Sequence, residues 1–281
     1  MSTDSIAEIP APPPPPPATS TRAIAVPILL FVATCYTTYK TGGPFFAVPL
    51  MITLLAHELG HFIQTVRYGV PASLPMFIPI PAGYSVTGTM GAVIFMKRGQ
   101  GDRRAIFDIA ISGPLAGLVF ALIFSVVGLQ LSTLGPANQP GIHFGEPLVF
   151  KALSYLTFGP IGPTQEVYIH QIAFAGWVGI FITALNLFPI GQLDGGHILY
   201  ALLRTKAHLV AQLVLVSAIV AVVLTRNWAW SVMLMLLMFM GPNHPPTAND
   251  NVPLGTTRTV LGWLSLLFVI VGFTPIPFSG S

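Results

Sequence analysis

Apolar residues in this chain run in long blocks, not in the short alternations of a soluble sheet or the three-four spacing of a half-buried helix. A membrane-crossing helix needs about 17–25 consecutive apolar residues. Blocks of or near that length cover 23–39, 45–66, 105–131, 166–187, 208–224, 228–240 and 259–273. The block at 228–240 is short for a full crossing, so the pattern predicts about six to seven transmembrane helices. Residues 71–96 are also apolar but broken by Pro and Gly, which predicts a re-entrant loop or short β-hairpin. Such a segment is tolerated at membrane depth only where protein or water surrounds it. Residues 132–165 are polar and rich in Pro and Gly and read as an extramembrane loop, and 243–253 as a polar, proline-rich connector. A short helix is expected at 197–203. The fold class is therefore an all-α polytopic membrane protein with a re-entrant loop or hairpin.

Composition agrees with that class. Of 281 residues, 53% are hydrophobic and 7% charged, against about 25% charged in a soluble domain. The net charge of +3 does not point to nucleic acid, because the basic residues sit mostly in pairs at the ends of apolar blocks. If the N-terminus is cytoplasmic, that side receives Arg22, Arg67, Lys97, Arg98, Arg103, Arg104, Arg204, Lys206 and Arg258. The other side receives Lys40, Lys151 and Arg226, so the positive-inside rule favours a cytoplasmic N-terminus. The single cysteine, Cys35, allows neither an internal disulfide nor a cysteine-built metal site, and reads as a small core residue. The first 22 residues, with the run Pro12 to Pro17, read as a disordered cytoplasmic tail and not as a signal peptide. No internal repeat is visible, so an inverted-repeat transporter gains no support.

Against this apolar background, His57-Glu58-Leu59-Gly60-His61 stands out inside the second block. Positions i and i+4 of a helix share a face, so the two imidazoles can reach one Zn²⁺. Glu58 lies one residue round from His57, placed to take a proton from an attacking water. The bland alternative, a polar helix face packed on its neighbours, is weak because ionisable groups inside an apolar span are costly. A catalytic zinc takes three protein ligands and keeps one open position. The acidic residues in or at the edge of apolar blocks are Glu58, Asp108, Glu166 and Asp194. Asp194 draws attention because Pro189, Gly191, Gly195 and Gly196 break the helix around it, letting a carboxylate turn toward another span. Its bland alternative is a helix cap.

The pair of motifs, H-E-x-x-H at 57–61 and N-x-x-P-x-x-x-L-D-G-G at 186–196, resembles the site-2 protease family of intramembrane zinc metalloproteases. The resemblance covers about 45–205, including Gly88 to Ala92 and Asp108 to Gly117. It implies one catalytic Zn²⁺ held by His57, His61 and Asp194, Glu58 as general base and acid, and Asn186 as a polar support near the active centre. It also implies a transmembrane protein substrate, single-pass and already trimmed outside, cut within or near its span in regulated intramembrane proteolysis. The expected organisation is a tail at 1–22, a first helix and turn at 23–44, a catalytic membrane core at 45–205 and C-terminal helices at 206–281. Unlike many relatives, these residues are expected to carry neither a PDZ domain nor paired nucleotide-sensing domains. The active-site end is expected on the cytoplasmic face of a bacterial cell membrane.

A substrate helix must be locally unwound before its peptide bond can be attacked, and an exposed strand edge can hold the unwound segment by backbone pairing. Residues 85–94, with Gly88, Thr89, Met90 and Gly91 at their centre, are expected to form that edge. Gly113 and Gly117 permit close helix approach. Asp108 is expected to pair with Arg104 one turn away. His197 is a polar residue at a helix start or an orienting partner of Asp194, and His143, His170, His208 and His244 read as interfacial. The alternative function is a non-proteolytic metal-binding membrane protein such as a divalent-cation carrier, which calls for ionisable residues strung along several spans.

Overall fold

The computed structural model describes residues 21–96, 99–137 and 142–280. The Pro-rich run at 12–17 and the basic pair Lys97 and Arg98 lie outside the described residues. Nine α-helices and six short strands follow in chain order among the described residues. The helices are α1 (Thr21–Gly42), α2 (Pro44–Arg67), α3 (Arg103–Gln130), α4 (Leu148–Phe158), α5 (Gln171–Asn186), α6 (Asp194–Leu203), α7 (Lys206–Thr225), α8 (Ser231–Met240) and α9 (Thr256–Gly272). The strands are β1 (Met76–Pro79), β2 (Thr89–Val93), β3 (Thr133–Pro136), β4 (Ile142–Phe144), β5 (Gln165–Tyr168) and β6 (Phe278–Gly280). Among the described residues, α1, α2, α3 and α7 are long and apolar enough to cross a membrane, while α4, α5, α8 and α9 are shorter apolar helices.

Local chemistry sets the helix boundaries. Pro at the first turn of α2 loses no intrahelical bond there. Asp102 caps α3 by accepting from the Ala105 N–H at 2.8 Å. Polar residues inside α1 satisfy themselves locally: the Thr34, Thr38 and Thr41 hydroxyls donate to carbonyls one turn back at 2.8, 2.8 and 2.9 Å.

The core is formed by α2, α3 and α5, where Phe46, Leu50, Leu54, Ala121, Trp177 and Ile180 are fully or nearly fully buried. Helix α6 packs against α3, and α9 against α5 and α6. Apolar side chains such as Leu29, Val216, Leu224 and Phe239 remain exposed on outward faces, as a lipid-facing belt requires.

Residues 71–96 form the β1–β2 hairpin, with Met76 opposite Val93, Phe77 opposite Ala92 and Pro79 opposite Thr89. Met90 and Gly91 together oppose Ile78, which is a β-bulge; Gly91 sits at φ 91, a conformation a side chain resists. The hairpin lies along α1. Phe77 meets Phe31 with ring centroids 5.1 Å apart, and the Gly88 carbonyl accepts from the Thr37 hydroxyl at 2.8 Å.

The polar stretch 132–165 is more ordered than a loop. It contains β3, β4 and α4, and β3 pairs with β5 so that the expected fourth span yields its first residues to a strand. Helix α5 starts only at Gln171 and is 16 residues long. Helix α4 docks through Phe150, buried in the main core, with Val149, Leu153 and Phe158 packed against it, while Leu148, Tyr155 and Leu156 stay exposed. Helix α6 begins at Asp194, three residues before the expected start at 197.

Asp108 does not pair with Arg104. Its carboxylate accepts both fork nitrogens of Arg258, at 2.7 and 2.8 Å, and the Tyr68 hydroxyl. The bidentate fork outcompetes an i, i+4 contact because both oxygens are met at once. Arg104 instead donates to the Pro253 carbonyl at 3.0 Å.

These contacts sort the connections into two ends. At one end, Tyr68, Asp108 and Arg258 meet, and the Arg103 and Ala248 N–H groups donate to the Asn249 and Gly101 carbonyls. At the other, β4 pairs with β6, Phe45 packs on His170, and Asn227 and Trp230 donate to the Pro275 carbonyl.

Candidate metal centre

His57 and His61 lie one turn apart on α2, as their spacing dictates, and are 4% and 8% exposed. Their Nε2 atoms are 3.1 Å apart. Asp194, distant in the chain, joins them: its Oδ2 is 3.3 Å from each Nε2. Donor atoms of the three residues lie within 4.8 Å of one another, and no other group of three His, Cys, Asp or Glu does so among the described residues.

The turn 187–193 explains how a residue so far along the chain arrives there. It reverses between α5 and α6, with Gly191 at φ 57, and Asp194 is the first residue of α6. A Cβ on Gly195 would lie 2.0 Å from the Leu187 carbonyl oxygen, and one on Gly196 2.3 Å from that of Gly191. Only glycines let the first turn of α6 fold back this tightly. Asp194 does not cap the helix: the N-cap is Leu193, without a side-chain cap bond, and the carboxylate faces the histidines.

Helix α3 supplies the wall opposite. The His61 Nδ1–H donates to the Ile109 carbonyl at 2.7 Å, which leaves Nε2 as the free lone pair. Ser112 donates to the Ile109 and Gly60 carbonyls at 2.8 and 2.9 Å, tying α3 to α2 beside the site. A Cβ on Gly113 would lie 2.1 Å from the His61 Nε2. The Gly113 and Gly117 spacing thus serves close approach of α3 to the two histidines.

Two imidazole Nε2 atoms and one carboxylate, buried and converging, match a three-ligand zinc site with a position left open. Without a cation, this cluster would bring three ionisable groups together in an apolar helix bundle at a large desolvation cost. The residues present therefore fit a divalent metal.

Glu58 is 6% exposed and lies within electrostatic reach of His57, His61 and Asp194. Asn186, the last residue of α5, has its Nδ2 3.2 Å from the His57 Nε2. Gly88, Thr89, Met90 and Gly91 lie on the hairpin, which packs against α1 and α2 and not among the three donors. The Ile109 carbonyl escaped the sequence because a backbone acceptor carries no residue signal. His244 also escaped it: read as interfacial, it is 7% exposed and its Nε2 is 2.5 Å from the His197 Nδ1.

The model of Peptidase family M50 matches residues 45–226. The chain is 32% identical over 234 residues to "Probable zinc metalloprotease EGY1, chloroplastic" of Arabidopsis thaliana, covering 79% of this chain and 41% of that protein. It is 26% identical over 248 residues to the Arabidopsis EGY2 protein, covering 85% and 43%. It is 28% identical over 261 residues to the EGY3 protein of Oryza sativa subsp. japonica, covering 84% and 42%. The chain spans about two-fifths of the length of these relatives. They are chloroplastic by name and lend no support to a bacterial membrane. No solved structure matches. By the family match, the chain belongs to Peptidase family M50, the site-2 protease family that its two motifs resemble.

Proposed function

We propose that this protein is an intramembrane zinc metallopeptidase that hydrolyses peptide bonds within or near the transmembrane segments of other membrane proteins. The observation that carries this reading is the convergence of the His57 and His61 Nε2 atoms with the Asp194 carboxylate beside a buried Glu58. Zinc is favoured over other divalent ions by the His₂Asp donor set and by the names of the relatives. When bound, the metal acidifies water and polarises a carbonyl.

The chain's own residues do the rest. His57, His61 and Asp194 hold the metal, with the Ile109 carbonyl keeping His61 in the tautomer whose Nε2 is free. Glu58 takes a proton from the attacking water and returns it to the leaving amine. Asn186, whose Nδ2 stands 3.2 Å from the His57 Nε2, supports the centre as a polar neighbour beside the nitrogen that would hold the metal. The hairpin offers β2 as an edge for an unwound substrate segment, with Gly88, Thr89, Met90 and Gly91 as the contact stretch. The bulge at Met90 and Gly91 re-aims the strand there, and Met90 is exposed. By family analogy the substrate is a single-pass protein. The membrane core at 45–205 carries the chemistry, and its active-site end faces the basic, cytoplasmic side. A divalent-cation carrier finds no supporting observation, since the described residues hold one such donor group and not a series along the spans.

The test uses purified protein in detergent with transmembrane peptides tagged at both ends. Wild type should cleave, and Glu58→Gln should keep its zinc yet cleave at least about 100-fold more slowly. Cleavage by Glu58→Gln at the wild-type rate would remove Glu58 from the mechanism. Zinc-loaded wild type that cuts nothing in the panel while moving metal across liposomes would favour the carrier.

A further inference from the structure

Of the three donors, Asp194 alone is not on α2, so its aim depends on how α6 is set against α2. The segment between α8 and α9 lies beyond residue 226, where the family match ends. It carries none of the motif residues, yet it grips the chain on both sides of Asp194. Before Asp194, the Pro242 carbonyl accepts from the Gly191 N–H at 3.0 Å and holds the turn that leads into α6. After it, His244 meets His197, with one ring nitrogen donating to the other at 2.5 Å. The rings lie edge to face with centroids 4.6 Å apart.

His197 is three residues past Asp194 on the same helix, so the two side chains neighbour each other on one face. His244 is itself held by two further contacts. Tyr200 stacks on its ring at 4.4 Å, and the His208 Nε2–H donates to its carbonyl at 3.0 Å. Further along the connector, Asp250 accepts the Tyr200 and Thr247 hydroxyls at 2.8 and 2.7 Å. Burial raises the Asp250 pKa, but these hydroxyl donors outweigh it and hold the group below its ordinary value. It is therefore a carboxylate at neutral pH, and its hydrogen bonds are charge-assisted.

We propose that His244 is a positioning residue for the metal centre: through His197 it fixes the first turn of α6 and so the direction in which Asp194 faces His57 and His61. The inference rests on the reading of those three residues as metal ligands. A long-range contact of this kind orients a ligand as an outer-shell partner does, and loss of such partners typically weakens metal affinity about 10–100-fold.

The experiment measures zinc affinity of the full chain in detergent by competition with a chromophoric chelator. It compares wild type, His244→Ala, His244→Gln and Asp194→Ala, and records thermal melting of each metal-free protein. His244→Ala should bind zinc about 10–100-fold more weakly, with metal-free melting close to wild type. His244→Gln, whose amide reaches the Nε2 position, should recover most of that loss. Asp194→Ala should lose zinc binding. If Asp194→Ala binds as wild type does, the metal-centre reading itself fails. If Asp194→Ala loses zinc while His244→Ala binds normally, the ligands stand and the positioning role is overturned. Equal losses in His244→Ala and His244→Gln that follow a drop in metal-free melting would also overturn it, as a merely structural effect. Should His244→Ala fail to fold, His244→Asn, too short to reach His197, replaces it against His244→Gln under the same criteria.

Discussion

At the scale of single residues, the site is governed by how little space α3 leaves beside the two histidines. Gly113→Ala introduces a methyl 2.1 Å from the His61 Nε2, so His61 must leave its position or α3 must move. Gly113→Ala should therefore weaken zinc binding about 10–100-fold, by analogy with other misaligned ligands, measured by chelator competition. Gly117→Ala is the milder companion, since its Cβ meets the His57 Cβ at 3.0 Å and Nδ1 at 3.2 Å, on the side of the ring away from Nε2. A second residue-scale feature closes α6. Arg204 adopts φ 55 and ψ −133, a region that costs a side chain free energy. Arg204→Gly should raise stability by about 1 kcal/mol through relief of that strain, seen as a higher melting temperature. An unchanged or lower melting temperature would mean that the Arg204 side chain contributes more than its strain costs.

At the scale of elements, the hairpin and the short helix α6 perform separate tasks. The hairpin is bound to α1 through Phe31, Phe77 and the Thr37–Gly88 bond, and shares none of its residues with the three donors. Proline at Thr89 or Ala92 removes a backbone donor from β2. Either variant should lower peptide turnover about tenfold or more, the value of one or two lost backbone bonds at roughly 1 kcal/mol each, while zinc content stays at the wild-type level. Normal cleavage by both would end the edge-strand reading. Helix α6, by contrast, is held at both ends: Asp194 faces α2 at its start, and the Arg103 guanidinium donates to the Ala201 and Leu202 carbonyls at its finish, at 2.6 and 3.2 Å. Those carbonyls are the orphan acceptors that every helix end must satisfy. The existence and rough place of α2, α3, α6 and α7 were legible from apolar blocks and breakers. The order in 132–165 was not, because strands of three or four residues with Pro and Gly carry no periodicity of their own.

At the scale of the whole molecule, the contacts gather the connections into two ends. Tyr68, Arg103, Arg104 and Arg258 share one end with the 241–255 connector, and Lys151 and Arg226 belong with the other, near β4, β6 and Pro275. We propose from this charge asymmetry that the connector and the metal-centre end are cytoplasmic. Cysteine accessibility tests it once Cys35 is replaced by Ser. In sealed cells a membrane-impermeant maleimide should label Glu146→Cys from outside, and Ala248→Cys only after permeabilisation. The reverse pattern would invert the topology without touching the chemistry.

The sequence by itself determined the class and pointed to the chemistry. Membrane residence follows from block length, which the bilayer thickness imposes on any apolar helix. The pairing of His57 with His61 follows from the 3.6-residue turn, which is local. The motif at 186–196 singled out Asp194, yet whether its carboxylate capped a helix or met the histidines was open, since nothing local separates the two. Only the tertiary structure decided that, by folding the 187–193 turn so that Oδ2 stands 3.3 Å from both Nε2 atoms. It also decided the partner of Asp108, which proved to be Arg258, 150 residues away, instead of Arg104 on the same helix. The His197–His244 contact and the Ile109 carbonyl were beyond reach of the sequence for one physical reason. Helical and strand periods report which face a residue occupies, but which other face it meets depends on how the helices pack, and that is a property of the whole chain.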